Sequence, residues 1–181
     1  MYEVELKLQA DHEAVRSRLE TLDADHVDSR RQVDTYYNAP HREFAETDEA
    51  LRIRREEPAN GEAVTKLTYK GPLVERESKT REEHETTVDS EQALAGVLDG
   101  LGFEPAATVE KDREFYALDG YTITLDSVAG LGEFVEIEQE TTEDAVESVR
   151  EGAVDVLSSL GLDSSEQIRT SNLGLLLADE P

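Results

Sequence analysis

Short segments in which charged and apolar residues alternate recur along this chain, and they constrain its fold more than any other feature of the sequence. In the first, residues 1–9, Glu3, Glu5 and Lys7 fall on one face of a strand and apolar or aromatic residues on the other. A single segment of this kind is typical of an ordinary surface strand. Its recurrence predicts a sheet with one charged face and one apolar face.

The order of the predicted elements favours one antiparallel sheet in an α+β fold. Predicted strands cover residues 1–9, 26–37, 50–56, 64–70, 81–88, 104–116, 121–128 and 134–138. Residues 57–61 and the Asp119-Gly120 pair are hairpin turn signals. Apolar residues at helical spacing predict helices over 11–22, 90–101, 143–160 and 173–177, with one helical turn within 41–48. Because most strands are joined as hairpins, a parallel βαβ sheet is not expected.

The charge balance excludes several classes of protein. The chain has 43 acidic and 18 basic residues, for a net charge of −25, so a broad basic face for nucleic acid is not expected. Such acidity is typical of proteins from salt-loving organisms, where salt screens the self-repulsion. The sequence contains no cysteine, and it has neither an apolar run that would span a membrane nor a signal-peptide pattern. We therefore expect a single cytoplasmic domain over residues 1–181.

The charged faces of the predicted strands differ from the acidic surface that the composition implies, because cations are in the majority there. The acids in phase are Glu3, Glu5, Glu83, Glu85, Asp126, Glu136 and Glu138. The bases in phase are Lys7, Arg52, Arg54, Lys66, Lys70, Arg81, Lys111 and Arg113. Cross-strand ion pairs on a solvated sheet would account for this pattern. A closed barrel with a charged interior, suited to a polyphosphate and a divalent metal, accounts for it equally well.

The motifs of this chain resemble those of the CYTH superfamily, the triphosphate tunnel metalloenzymes, over nearly the whole sequence. Glu3-x-Glu5-x-Lys7 matches the E-x-E-x-K signature of that family. The other matching motifs are Asp34-Thr35-Tyr36-Tyr37, Glu49-Ala50-Leu51-Arg52-Ile53-Arg54, Thr68-Tyr69-Lys70-Gly71-Pro72, Arg81-Glu82-Glu83-His84-Glu85, Lys111-Asp112-Arg113, and Asp126 with Gly130-Leu131-Gly132-Glu133-Phe134-Val135-Glu136-Ile137-Glu138. Their order and spacing together make the resemblance specific, although E-x-E-x-K alone is a weak pattern.

The resemblance implies an eight-stranded antiparallel closed β-barrel with peripheral helices, in which a triphosphate lies along the axis. By resemblance, the acids that bind Mg²⁺ or Mn²⁺ are Glu3, Glu5, Asp126, Glu136 and Glu138. The implied phosphate-binding cations are Arg52, Arg54, Lys66, Lys70, Arg81, Lys111 and Arg113, with Glu83 and Glu85 lining the tunnel beside them. The implied catalytic residues are Lys7, Glu3, Glu5 and Glu136. One departure is Asn172, which stands where the family commonly has a tyrosine.

Three functions remain open at this point. The motifs look most like the class IV adenylyl cyclase branch, which converts ATP to cyclic AMP and pyrophosphate. The alternative enzyme is a thiamine triphosphatase or an inorganic tripolyphosphatase, for which Lys7 is a candidate to orient or deprotonate the attacking water. A non-catalytic triphosphate or polyphosphate sensor is the third. The expected partner is a small triphosphate, with neither nucleic acid nor membrane, and an apolar outer face left uncovered by helices would favour a homodimer. Arg30 and Arg31 are candidates for contact with a nucleobase or a phosphate at the tunnel entrance, but we interpret them as a surface pair.

Overall fold

A closed antiparallel β-barrel is the centre of the molecule. The computed structural model describes residues 1–74 and 78–178, and within them eight strands close in the order β1-β5-β4-β3-β2-β6-β7-β8. The strands are β1 (Tyr2–Gln9), β2 (Asp25–Asn38), β3 (Ala50–Pro58), β4 (Val64–Leu73), β5 (Arg81–Val88), β6 (Glu104–Leu118), β7 (Tyr121–Val128) and β8 (Gly132–Thr141). The first strand closes the barrel by pairing with β5 on one side and β8 on the other. The predicted fold class is confirmed.

Five α-helices lie outside the strands in the described part of the chain. They are α1 (His12–Thr21), α2 (Phe44–Thr47), α3 (Glu91–Gly100), α4 (Val146–Ser159) and α5 (Asn172–Ala178). The starts of α1 and α3 are set by side-chain caps, because Asp11 accepts a hydrogen bond from the Ala14 N–H and Ser90 from the Ala93 N–H. The predicted helix 143–160 begins instead with a 3₁₀ turn, Glu143–Ala145, before α4 starts. None of the described helices has the length and apolar character needed to cross a membrane.

The outward faces of the strands pack on the helices, so the apolar core lies outside the barrel wall. Helices α1 and α4 cover β1, β7 and β8 through Leu6, Leu8, Val15, Leu19, Ile123, Leu125, Val135, Ile137, Ala153, Val156 and Leu157. Helices α2 and α3 cover β3 and β4, where Phe44 and Leu98 pack around Ile53. The charged residues that alternate with these apolar residues must therefore point inward, because successive side chains of a strand face opposite ways.

One end of the barrel is filled by apolar side chains. Tyr36, Val109, Val128 and Phe134 have the inward phase on their strands, are at least nine-tenths buried, and pack with Leu173, Leu175 and Leu176 of α5. They lie at the C-terminal ends of β2 and β7 and the N-terminal parts of β6 and β8. Because neighbouring strands are antiparallel, these are the same end of the barrel. We call it the closed end, and the opposite end the mouth.

The contact between α4 and the barrel gives a stability test that is independent of function. A Cβ placed on Gly152 would lie 2.1 Å from the Tyr121 hydroxyl oxygen, which donates to the Val149 carbonyl at 2.8 Å. We expect Gly152→Ala to lower the free energy of unfolding by about 1–3 kcal/mol, the usual cost of overpacking. Gly96→Ala on α3 is the matched control, since nothing lies within 4 Å of its new methyl group. That variant should gain up to about 1 kcal/mol from helix propensity. Equal denaturation midpoints for the two variants would contradict this packing.

Candidate active site

The barrel encloses a cavity of about 580 Å³ whose walls are mainly charged side chains. All but one of the residues that the family resemblance assigns to the tunnel line it, the exception being Asp126. They are Glu3, Glu5, Lys7, Arg52, Arg54, Lys66, Lys70, Arg81, Glu83, Glu85, Lys111, Arg113, Glu136 and Glu138. Their inward orientation follows from strand alternation, as on β3, where Arg52 and Arg54 face the cavity and Leu51 and Ile53 pack on the outer core. The solvated-sheet interpretation of these charges is therefore wrong.

Three carboxylates converge on one wall of the cavity. Glu3, Glu5 and Glu138 each offer an oxygen, and these oxygens lie within 4.8 Å of one another. Glu5 and Glu138 are direct cross-strand neighbours on β1 and β8. Burial and the negative charge of Glu3 together raise the pKa of Glu138 to about 8. Clustered carboxylates of this kind fit a hard divalent cation such as Mg²⁺ or Mn²⁺, which takes oxygen ligands. We call these three residues the acidic cluster.

Lys70 lies on β4, which is separated from β1 by β5, and it partly neutralises the negative charge of this cluster. The Lys70 Nζ lies 2.5 Å from the Glu3 Oε1 and 2.9 Å from the Glu83 Oε2. Burial by itself would lower the pKa of Lys70, but the charges of Glu3 and Glu83 outweigh it and raise the pKa above its usual range. Lys70 therefore stays charged beside the cluster.

Asp126 and Glu136, which the resemblance groups with the metal ligands, both contact Arg113. The Arg113 Nε and Nη2 donate to the two Asp126 carboxylate oxygens at 2.5 and 2.9 Å, and Nη2 also donates to the Glu136 Oε2 at 2.5 Å. Burial would raise the pKa of Glu136, but Arg113 and Lys111 hold it well below its usual range. Asp126 is fully buried behind Arg113 and fixes the direction of its guanidinium group.

A second buried aspartate, Asp34, orients the cations of β3. The Arg54 Nε and Nη2 donate to its two oxygens at 2.6 and 2.7 Å, and the Arg52 Nη1 lies 3.5 Å away. Burial would raise the pKa of Asp34, but Arg52 and Arg54 hold it well below its usual range. Among the described residues, the buried Arg52 Nε has no hydrogen-bond partner, which leaves a donor for an anion in the cavity. Sequence reasoning included Asp34 in a motif but assigned it no role.

Cations also line the cavity near its closed end. The Lys7 Nζ donates to the Asn172 Oδ1 and lies 4.9 Å from the centre of the Phe134 ring, and Lys7 is only 2 % exposed. Asn172, at the start of α5, thus holds Lys7 in place where the family commonly has a tyrosine. Lys111 also lines the cavity. Burial and the neighbouring Arg113 lower its pKa to about 8.

Lys79 is a cavity residue that sequence reasoning missed. It precedes β5 by two residues, is 5 % exposed, and its backbone N–H donates to the Glu5 carbonyl at 3.1 Å. Burial lowers its pKa, and the charges of Arg81 and Lys7 lower it further, although Glu5 opposes them. The signal that could have found it is scarcity, because the chain has five lysines and the other four lie in the predicted strands. Lys79 was overlooked because it lies in a loop, where alternation gives no orientation.

Residues at the mouth differ in character from those deeper in the cavity. Arg30 lines the mouth and donates to the Glu56 Oε2 at 2.8 Å, so the interpretation of Arg30 as a surface residue is wrong. Arg31 does point outward and pairs with Glu110 on the outer face. The Arg30 guanidinium carbon lies 4.7 Å from the centre of the Phe115 ring. Arg30 precedes Gln32 and Asp34 on β2 at intervals of two residues, so it faces the same way as they do. This alternation is the sequence signal that could have placed Arg30 in the cavity.

Comparisons with known proteins agree with this architecture. Residues 1–171 match the CYTH domain family. The chain is 35 % identical over 177 residues to a Methanocaldococcus jannaschii protein named "Putative adenylate cyclase", covering 97 % of this chain and 98 % of the other. The PH1819 protein structure from Pyrococcus horikoshii is 38 % identical, with a TM-score of 0.91 over 98 % of this chain and 99 % of the other. A Hippeastrum structure, described as a "putative adenylyl cyclase" with a dominant triphosphatase activity, shares the fold at 22 % identity and a TM-score of 0.66, covering 99 % and 96 %.

Proposed function

The chain belongs to the CYTH family, and from this premise we propose that it is a divalent-metal-dependent adenylyl cyclase, which converts ATP to cyclic AMP and pyrophosphate. The observation that carries the proposal is the closed barrel interior, where Glu3, Glu5 and Glu138 converge and face several buried cations. A linear triphosphate carries a high negative charge, which these cations would neutralise. Few other small metabolites would compensate so many buried cations.

In this proposal Glu3, Glu5 and Glu138 hold Mg²⁺ or Mn²⁺. The bound ion would neutralise part of the negative charge of the phosphates. Glu136 and Asp126 act through Arg113, which they hold in one orientation across the cavity. A guanidinium fixed on its far side by a carboxylate presents its remaining donors to a ligand without losing side-chain freedom on binding.

The phosphate-binding groups of the proposal are the inward cations of β3, β4, β5 and β6. They are Arg52, Arg54, Lys66, Lys70, Arg81, Lys111 and Arg113. Several of them pair with acids that line or back the cavity wall, such as Arg81 with Asp48 at 3.1 Å and Lys66 with Glu85 at 3.1 Å. A bound triphosphate would share these cations with the acids. The free-energy cost of removing the cations from water is therefore incurred on folding and not on ligand binding.

The chemical step would form a bond between the ribose 3′-oxygen and the α-phosphorus, while the bond from that phosphorus to the bridging oxygen of pyrophosphate breaks. The 3′-hydroxyl proton leaves to a base, and the electron pair of the broken bond leaves with pyrophosphate. The contribution of the barrel residues is to hold the triphosphate in line and to stabilise the charge that develops on the leaving group. In this proposal Lys70, Arg52 and Lys111, which line the cavity, have this role.

Hydrolysis of a triphosphate is the second candidate, and Lys7 favours it. Lys7 is buried, follows Glu5 by two residues on β1 and is oriented by Asn172, as expected of a group that positions an attacking water. The same cavity would then accept thiamine triphosphate or tripolyphosphate, and the bond cleaved would be to a terminal phosphorus. The two reactions would use the same cavity and the same phosphate-binding residues, and they differ in which phosphorus is attacked.

Product analysis distinguishes the two reactions. Purified protein is incubated in molar KCl with Mg²⁺ or Mn²⁺ and, in parallel, ATP, thiamine triphosphate and tripolyphosphate. We expect cyclic AMP and pyrophosphate from ATP, in equal amounts, and loss of both products when the metal is removed by EDTA. Orthophosphate released fastest from the base-free substrate would assign a tripolyphosphatase and refute the cyclase. Tight binding of the triphosphates without any product would instead indicate a sensor.

A further inference from the structure

The two ends of the barrel offer different chemistry to a bound ligand. At the closed end the buried cations Lys7 and Lys79, which are 2 % and 5 % exposed, lie beside apolar side chains and Asn172. Helix α5 packs across this end through the apolar side chains described above. A ligand therefore enters from the mouth, and the part of it with the highest charge density is drawn to the lysines at the closed end.

The mouth carries more carboxylates than cations and has an aromatic surface. Glu56, Glu85 and Glu140 line it together with Arg30 and Lys66. Phe115, the next inward position on β6 after Arg113, is half-buried and has two guanidinium groups over its ring. The Arg30 Cζ lies 4.7 Å and the Arg113 Cζ 5.3 Å from the ring centre. Carboxylates of Asp28 and Glu56 hold Arg30 there.

A planar guanidinium that is stacked on an aromatic ring and held by two carboxylates is a rigid, flat surface. Nucleobases stack on aromatic rings and on arginine planes, and they do so without requiring a particular base. The mouth is also where the group on the α-phosphate must lie if the terminal phosphate reaches the closed end. The buried lysines at the closed end and the flat surface at the mouth thus favour the same orientation of the ligand, with its phosphates inside and its base at the mouth.

We infer that a nucleoside triphosphate binds with its terminal phosphate toward Lys7 and Lys79 and with its base on the Arg30–Phe115 surface at the mouth. The inference depends on the proposed function, since it concerns the substrate of the same cavity. It assigns Phe115 and Arg30 as the residues that distinguish a substrate with a base from bare tripolyphosphate.

The test compares two ligands that differ in the base. Dissociation constants for ATP and tripolyphosphate are measured by isothermal titration calorimetry, with Ca²⁺ replacing Mg²⁺ so that turnover is slow. For Phe115→Leu we expect about tenfold weaker ATP binding, the usual loss for one base–aromatic stack, and a tripolyphosphate affinity within about twofold of the unmodified protein. Phe115→Tyr should bind ATP as the unmodified protein does. Arg30→Lys, which keeps the charge but loses the plane, should show the same selective loss and serves if Phe115→Leu fails to fold.

Tyr116→Leu is the matched control, because it removes the next ring on β6 from the outer face of the barrel, and both affinities should be unchanged. Equal losses of both ligands in Phe115→Leu and Arg30→Lys would overturn the inference and make Phe115 a support for Arg113. Unchanged ATP binding in both variants, or an unmodified protein that binds tripolyphosphate but excludes ATP, would overturn it as well while leaving a triphosphate site intact. If the unmodified protein binds neither ligand, the proposed function itself fails and the inference fails with it.

Discussion

Glu5→Gln is expected to lower metal-dependent turnover by about a hundredfold or more, because it removes one charged oxygen donor from a three-carboxylate cluster that would bind the metal. The amide has nearly the shape of the carboxylate, so the fold should persist. Glu5 lines the cavity, and its backbone carbonyl, which accepts from Lys79, is unchanged by the substitution. Turnover with ATP and with tripolyphosphate, together with Mn²⁺ binding followed by electron paramagnetic resonance, measures the effect.

Glu140→Gln is the control for that variant. Glu140 lies on β8 two residues after Glu138 and lines the same cavity, but it is exposed at the mouth and outside the acidic cluster. We expect its turnover and Mn²⁺ affinity to stay within about twofold, since an exposed charge is well screened. If both variants lost activity equally, the general charge of the cavity rather than the cluster would be responsible. Full activity of Glu5→Gln would refute the metal site.

Asp34→Asn is expected to lower the free energy of unfolding by about 3–5 kcal/mol, the usual cost of removing one partner from a buried ion pair. The carboxylate of Asp34 is fully buried and holds Arg54 through two hydrogen bonds, with Arg52 nearby. The amide leaves both guanidinium groups without their negative partner. Urea denaturation in molar KCl measures the change, and Asp112→Asn on the exposed outer face of β6 is the matched control, expected within about 0.5 kcal/mol.

The effect of Asp34→Asn should depend on pH in a defined direction. The pKa of Asp34 is lowered in the folded protein, so its stabilisation is present above the unfolded pKa of about 4 and is lost as pH falls toward the folded-state value. The difference between the unmodified protein and Asp34→Asn should therefore be constant near neutral pH and narrow below about pH 4. A difference that stayed constant down to pH 3 would mean that the ionised carboxylate is not what stabilises this part of the barrel.

Arg54 has a structural role as well as its proposed role in phosphate binding. Because Arg54 is the main partner of buried Asp34, Arg54→Ala removes a phosphate contact and a buried ion pair together. A loss of binding in that variant would not by itself separate the two effects. Lys66, which is more exposed and pairs with Glu85 near the mouth, is the cleaner position for testing phosphate binding alone.

The alternation of charged and apolar residues predicts which side chains share a face of each strand. It has a period of two, so it placed Glu3, Glu5, Lys7, Arg52 and Arg54 on the charged faces of their strands, and the family resemblance implied that these faces line a barrel. The caps of α1 and α3 were equally local, since Asp11 and Ser90 bond to N–H groups three residues away. These features depend on residues close in the chain, where patterns are informative.

The pairing of the interior charges and the filling of one end of the barrel depend on contacts between residues that are far apart in the chain. Arg113 contacts Asp126 and Glu136 across β6, β7 and β8, and Lys7 contacts Asn172, 165 residues later, so no local pattern distinguishes a metal ligand from an arginine partner. Lys79 enters the cavity from a loop, where orientation depends on how the barrel closes around β1. The physical reason is that the type of a side chain gives its charge, whereas its oppositely charged partner and its burial depend on which strands lie beside it once the barrel has closed.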